Sequence, residues 1–184
     1  MFKRKQNADP SVLTDMMKKQ QRYEALVRAL HADIYRYAYW LIGNKAIAED
    51  VVQETFLRAW KSLDSLNDEK AAKSWLITIL RRENARRFER KQFDLVDIDD
   101  VHVEDSAATL EQTYMQEEVQ RHMANLELEY REPLMLQIIF GYSGEEIAEQ
   151  LSLNKNTVNT RLFRARSQLK DALEKPAVRG QMNG

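Results

Sequence analysis

Residues 143–170 read SGEEIAEQLSLNKNTVNTRLFRARSQLK, a stretch with two helical patterns and a break between them. Ser143 followed by Glu146 predicts a capping box, in which each side chain bonds to the backbone N–H of the other residue. The apolar residues Ile147 and Leu151 share one face of the first helix, and a polar break follows. The apolar stripe of the second helix is Val158, Leu162, Ala165, Leu169 and Ala172. A short helix, a tight turn and a longer helix predict a helix-turn-helix.

Two small residues near the break fit this interpretation. Ala148 suits the point where the two helices cross closely, because a larger side chain would push them apart. Ser152 stands where such turns usually carry glycine, and we expect a serine to be accommodated there.

The outer face of the second helix lies in a stretch, Asn154–Lys170, that holds five basic residues and no acidic one. At about 100° per residue, a polar face lies opposite Val158 and Leu162. It comprises Asn156, Thr160, Phe163, Arg164 and Ser167, with Lys155, Thr157 and Arg161 beside it. Amide and guanidinium groups can read base edges in the major groove, whereas ammonium and hydroxyl groups suit phosphates. The pattern therefore favours DNA binding over the alternative of a merely solvated face.

Two further helices are predicted upstream of this motif. The apolar spacing of the first comprises Leu110, Met115, Val119, Met123 and Leu126. Pro133 is expected in the first turn of the second, because proline inside a helix costs about 3 kcal/mol. That helix is expected to end near Gly141. Together with the helix-turn-helix, these helices make up one predicted domain.

Another group of helical patterns occupies the N-terminal half. Apolar residues recur at helical spacing over 23–41, and Gly43-Asn44 ends this first helix. A second helix is predicted over 45–63, followed by a loop over 64–68. Ser74 is the expected N-cap of a third helix, which starts apolar and finishes basic.

The second of these helices has two distinct faces. Its apolar face comprises Ala48, Val52, Thr55, Phe56, Ala59 and Leu63, and the opposite stripe comprises Asp50, Gln53, Glu54 and Leu57. An exposed leucine is ordinary by itself. Leu57 within a polar stripe nevertheless favours docking against a partner over plain hydration.

Charge is segregated along the chain, although the formal net charge is only −1. Residues 81–91 hold six basic and two acidic residues, whereas 92–112 hold seven acidic residues and no Lys or Arg. Two basic blocks flanking an acidic bridge suggest two surfaces that meet a polyanion. We therefore predict an all-α protein of two small domains joined by an acidic flexible linker. The predicted boundaries are a mobile tail over 1–15, domains over 16–92 and 110–175, the linker over 93–109 and a tail over 176–184.

The composition excludes several other classes of protein. Without cysteine, the chain has no disulfide framework, thiolate metal site or cysteine nucleophile. The three histidines lack metal-ligand spacing and there is no glycine-rich phosphate loop, so we expect neither an enzyme nor a bound cofactor or metal. No apolar segment follows the basic N-terminus and no apolar run approaches the ~18 residues of a membrane span, so we expect a cytoplasmic protein.

Two motifs resemble those of one family. Ala48–Trp60, AEDVVQETFLRAW, closely resembles the AEDLVQETFLRAW signature of the extracytoplasmic-function (ECF) sigma factors of bacterial RNA polymerase. Glu145–Ala148 and Thr157–Arg166 resemble the C-terminal helix-turn-helix of the same family. The resemblance covers 20–92 and 110–173, in the order and spacing of that family.

The resemblance implies a role for each domain. The polymerase-binding residues, which would contact a coiled coil of the β′ subunit, are Asp50, Gln53, Glu54 and Leu57. The 65–75 loop and the third helix would open and hold the promoter −10 element, through Trp75, Arg82, Arg86 and Arg87. The last helix would bind the −35 element, through Lys155, Asn156, Thr157, Thr160, Arg161, Arg164 and Arg166.

Two features weaken the detail of the −10 assignment. Where the family often has Ile-Ala-x-Asn, this chain has Ile79-Leu80-Arg81-Arg82. For Trp60 and Trp75, core packing is favoured over contact with a base.

The partners that the resemblance implies are core RNA polymerase, through its β′ and β subunits, promoter DNA and an anti-sigma factor, with no small-molecule substrate. The implied function is promoter-specific transcription initiation, in a stress or envelope response. The alternative is a helix-turn-helix regulator whose N-terminal helices sense a signal or dimerise. Such a regulator needs no polymerase-binding stripe and usually binds DNA as a two-fold dimer.

Overall fold

The structure, a computed structural model, describes the backbone of residues 10–93, 118–119 and 121–174. Every regular element in these residues is helical, which confirms the all-α prediction. The helices are α1 (Pro10–Ile42), α2 (Lys45–Ser62), α3 (Ala72–Phe93), α4 (Leu128–Phe140), α5 (Gly144–Leu151) and α6 (Lys155–Glu174). Short 3-10 helices at Leu63–Ser65 and Glu69–Ala71 lie between α2 and α3. Apart from Phe93, the predicted linker lies outside the described residues, as does the predicted C-terminal tail.

Helix α1 begins at Pro10, within the segment that we predicted to be a tail. Proline is favoured in the first turn of a helix, and methionine, lysine and glutamine are good helix formers. Met16 and Met17 are 57% and 63% exposed, so this part of the helix buries little apolar surface. We predicted helix only where apolar residues recur at helical spacing, and this segment is helical without such a stripe.

The start of α3 also differs from the prediction. We expected Ser74 to cap this helix, but α3 begins at Ala72 and the Ser74 hydroxyl donates to the Ala71 carbonyl at 3.3 Å. The preceding 3-10 turn is capped by Asp68, whose carboxylate accepts a hydrogen bond from the Lys70 N–H at 2.9 Å. Asp68 can do this because its backbone is extended, which leaves its side chain free to reach the N–H groups of the turn.

Pro133 lies inside α4 and not in its first turn, so that prediction is wrong. The helix starts earlier because the N–H groups of Tyr130 and Arg131 both donate to the Glu127 carbonyl at 2.9 Å. The Pro133 side chain is fully buried. Burial of an apolar side chain stabilises by about 1.5–3 kcal/mol, which offsets much of the cost of an interior proline.

Two other predictions for the chain before α5 agree with the structure. Residues 118–119 and 121–124 of the helix predicted over 110–126 are helical. Helix α4 ends as predicted at Gly141, which is left-handed with a φ of 70°.

The chain divides into two compact units. One comprises Met1–Tyr35 and Asp50–Leu95, and the other comprises Arg36–Glu49 and Val96–Gly184. The end of α1 and the start of α2 therefore belong with the C-terminal helices.

The core of the first unit is built from side chains of α1, α2 and α3. Its buried members include Leu26, Ile34, Val52, Phe56, Ala59, Leu76, Ile77 and Leu80. The Tyr23 hydroxyl donates to the Phe56 carbonyl at 3.0 Å, and the Tyr23 ring packs edge-on against Trp60 with centroids 5.1 Å apart. Thr55 is also fully buried, and its hydroxyl is satisfied by donating to the Val51 carbonyl at 2.7 Å.

The core of the second unit joins residues 36–49 to α4. Tyr37 is fully buried; its hydroxyl donates to Glu132 at 2.8 Å and its ring lies edge-on to Phe140, with centroids 5.6 Å apart. Arg131 donates hydrogen bonds to the carbonyls of Ala124 at 2.9 Å and Leu41 at 3.4 Å. Burial lowers the pKa of the Arg131 guanidinium. These bonds connect positions about 90 residues apart in the sequence.

Candidate functional sites

The helix-turn-helix begins with the predicted capping box. The Glu146 N–H donates to the Ser143 hydroxyl at 3.2 Å, and the Ser143 N–H donates to the Glu146 carboxylate at 2.8 Å. These bonds satisfy two N–H groups at the start of α5. Burial and the nearby Glu146 charge raise the pKa of Tyr142 to about 12.

The turn between α5 and α6 contains a left-handed serine. Ser152 has a φ of 56° and a ψ of 44°. The Leu153 N–H donates back to the Ala148 carbonyl at 2.9 Å, which closes the end of α5. Asn154 then caps α6, because its side-chain oxygen accepts the Thr157 N–H at 2.7 Å. Serine is accommodated as expected, in a conformation that glycine adopts more easily.

Gly144, in the first turn of α5, lies close to a side chain of α6. A Cβ atom placed on Gly144 would lie 3.0 Å from the side-chain oxygen of Asn159. Ala148 is buried, in keeping with its predicted position between the helices. Helical spacing did not predict a role for Gly144. The available signal was its position: glycine is a poor helix former and is tolerated at the N-cap, but Gly144 follows the N-cap Ser143 and lies inside the helix.

Helix α6 presents the polar face predicted from its spacing. Val158, Leu162 and Ala165 are buried. The exposed side chains include Lys155, Asn156, Asn159, Thr160, Phe163, Arg164, Arg166 and Ser167. Phe163 is 71% exposed, although it was not among the predicted −35 contacts.

Four of the predicted −35 residues pair with other side chains of the protein. Arg161 is 26% exposed and pairs with Glu129 of α4 at 3.0 Å. The other pairs are Arg164 with the Tyr130 hydroxyl at 3.3 Å, Arg166 with Gln137, and Lys155 with Glu145. The bond from Lys155 holds the pKa of the Glu145 carboxyl below its ordinary value. Helical spacing describes one helix at a time, so it could not reveal these partners.

The stripe on α2 has the exposure that the sequence predicts. Asp50 and Gln53 are exposed, Glu54 is half-buried, and Leu57 is 47% exposed. The opposite side of the helix buries Val52, Thr55, Phe56 and Ala59. The four predicted polymerase-binding residues therefore lie on one side of one helix.

A network of charges lies beside this stripe and centres on Glu83 of α3. The Glu83 side chain is only 9% exposed, and it pairs with Arg86 at 2.8 Å and Arg58 at 3.5 Å. The Arg58 guanidinium also lies 3.0 Å from the Glu54 carboxylate. A carboxylate removed from water needs such partners. The network thus links side chains of α2 and α3.

The predicted −10 residues do not share one side of α3. Arg82 and Arg86 are exposed, whereas Trp75 and Arg87 are half-buried. At about 100° per residue, Trp75, Arg82 and Arg86 lie within about 40° of one another, but Arg87 lies about 140° from Arg82. Leu80, which departs from the pattern of the family, is fully buried and contributes to the core.

The part of the chain that the structure describes contains no metal-binding cluster and no membrane-spanning helix. There, no three His, Asp or Glu side chains are grouped so as to hold a metal ion. In the same part of the chain, no helix is long and apolar enough to cross a membrane.

The sequence matches the models of two protein-domain families. Residues 26–93 match sigma-70 region 2, and residues 116–169 match sigma-70 region 4. The chain is 33% identical to the RNA polymerase sigma factor SigV of Bacillus subtilis over 153 residues, which span 81% of this chain and 92% of that protein. It is 34% identical to the ECF RNA polymerase sigma factor SigL of Mycobacterium tuberculosis over 167 residues, which span 84% of this chain and 92% of that protein.

A solved structure has a similar fold. It is the sigma factor RpoE from Bartonella quintana in complex with the anti-sigma factor NepR. The TM-score is 0.67 at 26% identity, and the similarity covers 85% of this chain and 97% of that one. With region 2 in its N-terminal half, region 4 in its C-terminal half and these relatives, the chain belongs to the sigma-70 family as an ECF-type RNA polymerase sigma factor.

Proposed function

We propose that this sigma factor binds core RNA polymerase through the α2 stripe and promoter DNA through α3 and α6. The observation that carries the proposal is the exposure of Asp50, Gln53 and Leu57 on one side of a helix whose other side is buried. An exposed leucine between polar groups offers apolar area to a partner, and the flanking charges orient that partner. For a member of this family, the partner expected at region 2 is the polymerase.

Helix α6 is the proposed reader of the −35 element. A helix in the major groove brings only a few side chains to base edges. Asn156, Thr160 and Arg164 are exposed on the polar face and are suited to base edges, whereas Lys155 suits a phosphate. The exposed ring of Phe163 can supply apolar contact with a thymine methyl group.

The remaining predicted residues of this surface are assigned supporting contacts. Thr157 and Arg161 are half-buried at the edge of the polar face, and Arg166 is exposed. The bonds of Arg161 to Glu129 and of Arg166 to Gln137 favour a second task for both arginines, which is to hold α6 against α4. Their positive charge still adds to the attraction for phosphates.

Helix α3 is the proposed contact for the −10 element. Trp75, Arg82 and Arg86 lie on one side of this helix, with Trp75 half-buried and both arginines exposed. An unpaired base can stack on an aromatic ring while guanidinium groups hold the single strand. This arrangement suits capture of a melted promoter strand.

The remaining features of the function are proposed by analogy with the family. Sigma factors are initiation factors and not a family of catalysts. RNA synthesis is therefore assigned to the polymerase, and no catalytic reaction is proposed for this chain. It is proposed to act in the cytoplasm with the polymerase, in a stress or envelope response. RpoE is bound by the anti-sigma factor NepR, and an inhibitor of the same class is proposed here.

Binding to purified core polymerase without DNA tests the proposal. Combining Gln53→Ala with Glu54→Lys should weaken binding by about tenfold or more. The new lysine would face a polymerase surface that is complementary to the carboxylate of Glu54, and it would be repelled there. The melting temperature should change little, since neither side chain lies in the core. Lys45→Glu is the control charge reversal, because Lys45 is exposed on the same helix about 80° around it from the nearest residue of the stripe.

Three outcomes would contradict the proposal. Equal losses of thermal stability and of binding would make the stripe structural, and full binding by the double variant would place the polymerase elsewhere. Failure of the unmodified chain to bind polymerase would favour a helix-turn-helix regulator.

A further inference from the structure

The chain between α2 and α3 is held by two basic side chains of α1. Residues 63–69, which we call the α2–α3 segment, bury the side chains of Leu63 and Leu66 and expose the remaining ones. Lys19 and Arg22 lie three residues apart, so they share one face of α1. Both side chains reach across from that face to the segment.

Arg22 binds the α2–α3 segment at three points. Its Nη1 group donates to the Leu63 carbonyl at 3.3 Å, and its Nη2 group donates to the Leu66 carbonyl. Its Nε group pairs with the Glu69 carboxylate. The last carbonyls of a helical turn have no partner within that turn, and the backbone of Leu66 is already extended. One guanidinium group therefore holds both ends of the segment.

Lys19 makes a second set of contacts in the same region. Its Nζ atom lies 2.6 Å from the Asp64 carboxylate and 5.5 Å from the centre of the Trp60 ring. The face of an aromatic ring attracts a cation, which favours this position of the ammonium group. The α2–α3 segment contains three acidic residues. Lys19 and Arg22 pair with two of them, Asp64 and Glu69.

The α2–α3 segment leads into the proposed −10 contact surface. Helix α3 begins at Ala72, and Trp75 lies in its first turn. A strand whose base stacks on Trp75 would lie next to the segment. Unpaired carboxylates there would repel its phosphates. A segment without a fixed conformation would have to be ordered when the strand binds, and this ordering costs affinity.

We propose that Arg22 is a positioning residue for promoter opening, which holds the α2–α3 segment in the conformation that accepts the −10 strand. Arg22 acts through the segment and needs no contact with DNA. Its pair with Glu69, like that of Lys19 with Asp64, also offsets negative charge beside the strand. The inference rests on the proposed −10 function of α3.

The first test asks whether Arg22 holds the segment, in the absence of polymerase and DNA. Trypsin can cleave after Lys70, which is exposed at the end of the segment. Cleavage there in the native full chain should be about tenfold faster in Arg22→Ala, because cleavage follows local opening. Arg22→Lys should be intermediate, since lysine keeps the charge and loses the planar fork. Arg28→Ala is the matched control, because Arg28 is exposed about 120° around α1 from Arg22.

The second test measures binding of a single-stranded oligonucleotide to the holoenzyme. The oligonucleotide carries the −10 sequence of a promoter that the unmodified holoenzyme opens. Arg22→Ala should lower its affinity about tenfold, whereas affinity for core polymerase should stay unchanged. Arg22→Lys should recover part of the loss, and Glu69→Gln should lose less because both carbonyl bonds remain. The ratio of strand affinity to core affinity is the decisive quantity, because a merely structural role would lower both affinities together with the melting temperature.

The outcomes separate this inference from the function on which it rests. Faster cleavage after Lys70 together with a selective loss of strand binding supports the role of Arg22. Unchanged cleavage in Arg22→Ala overturns it, and so does faster cleavage with unchanged strand binding. If the holoenzyme of the unmodified chain binds no −10 strand, the proposed function of α3 fails and the role of Arg22 in opening fails with it.

Discussion

At the scale of single residues, two left-handed positions bracket α5. Gly141 has a φ of 70° and Ser152 a φ of 56°. A Cβ atom at Gly141 would meet nothing within 4 Å, so a substitution there costs only backbone energy. A non-glycine residue in this conformation costs about 1–2 kcal/mol. Gly141 thus adopts the left-handed conformation without this cost, whereas Ser152 adopts it at this cost.

Ser152→Gly should therefore stabilise the protein by about 0.5–1 kcal/mol, and Gly141→Ala should destabilise it by about 1 kcal/mol. Urea unfolding of the intact chain measures both changes. A loss of stability in Ser152→Gly would mean that the serine side chain itself stabilises the turn by more than the strain costs.

At the scale of elements, α6 has its packing contacts on one side and its proposed DNA contacts on the other. Val158, Leu162 and Ala165 are buried, and the ion pair of Arg161 with Glu129 joins the edge of α6 to α4. Asn156 is exposed and, among the described residues, its side chain has no hydrogen-bond partner in the protein. It is therefore the cleanest candidate for a base contact on this helix.

Asn156→Ala should cost about 1–3 kcal/mol of binding and relax the preference at one −35 position. The neighbouring change Lys155→Ala should weaken all promoter sequences similarly and reduce the dependence of binding on salt, because its charge acts on a phosphate. Transcription from a promoter library, with holoenzyme binding measured at several salt concentrations, distinguishes the two. Identical base preferences and salt slopes for both variants would refute this assignment of groups on α6.

At the scale of the whole molecule, the second unit combines distant parts of the sequence. The buried Tyr37 hydroxyl donates to Glu132 at 2.8 Å across a separation of 95 residues. Arg131 reaches the Leu41 carbonyl in the same region. The corner between α1 and α2 is therefore part of the core that also contains α4.

Tyr37→Phe should lower the free energy of unfolding by about 0.5–1.5 kcal/mol, because it removes a buried hydrogen bond without changing the shape of the ring. Glu132→Gln is the matched variant; its amide oxygen can still accept the bond, so its loss should be smaller. Chemical unfolding of the full chain measures both. Equal stability of Tyr37→Phe and the unmodified protein would show that the bond adds nothing to the folded state.

The sequence alone determines the features that depend on neighbours along one helix. The capping box of Ser143 and Glu146, the buried face of α6 and the exposed stripe of α2 all follow from spacing, because a helix repeats every 3.6 residues. The family motifs also lie within single helices or one short turn. Local geometry is therefore enough to predict the fold class and which side chains share a face.

The tertiary structure decides which helices meet and what their long side chains reach. The pair of Arg161 with Glu129, the buried interior position of Pro133 and the cleft that joins Asp50 to Arg87 all depend on contacts between separate helices. Helical periodicity carries no information about the distance or angle between two helices, since packing of their surfaces determines both. For that reason the sequence groups Arg87 with Arg86 in one basic block, and only the packing of α3 against α2 shows that both line a cleft with Asp50 and Glu54.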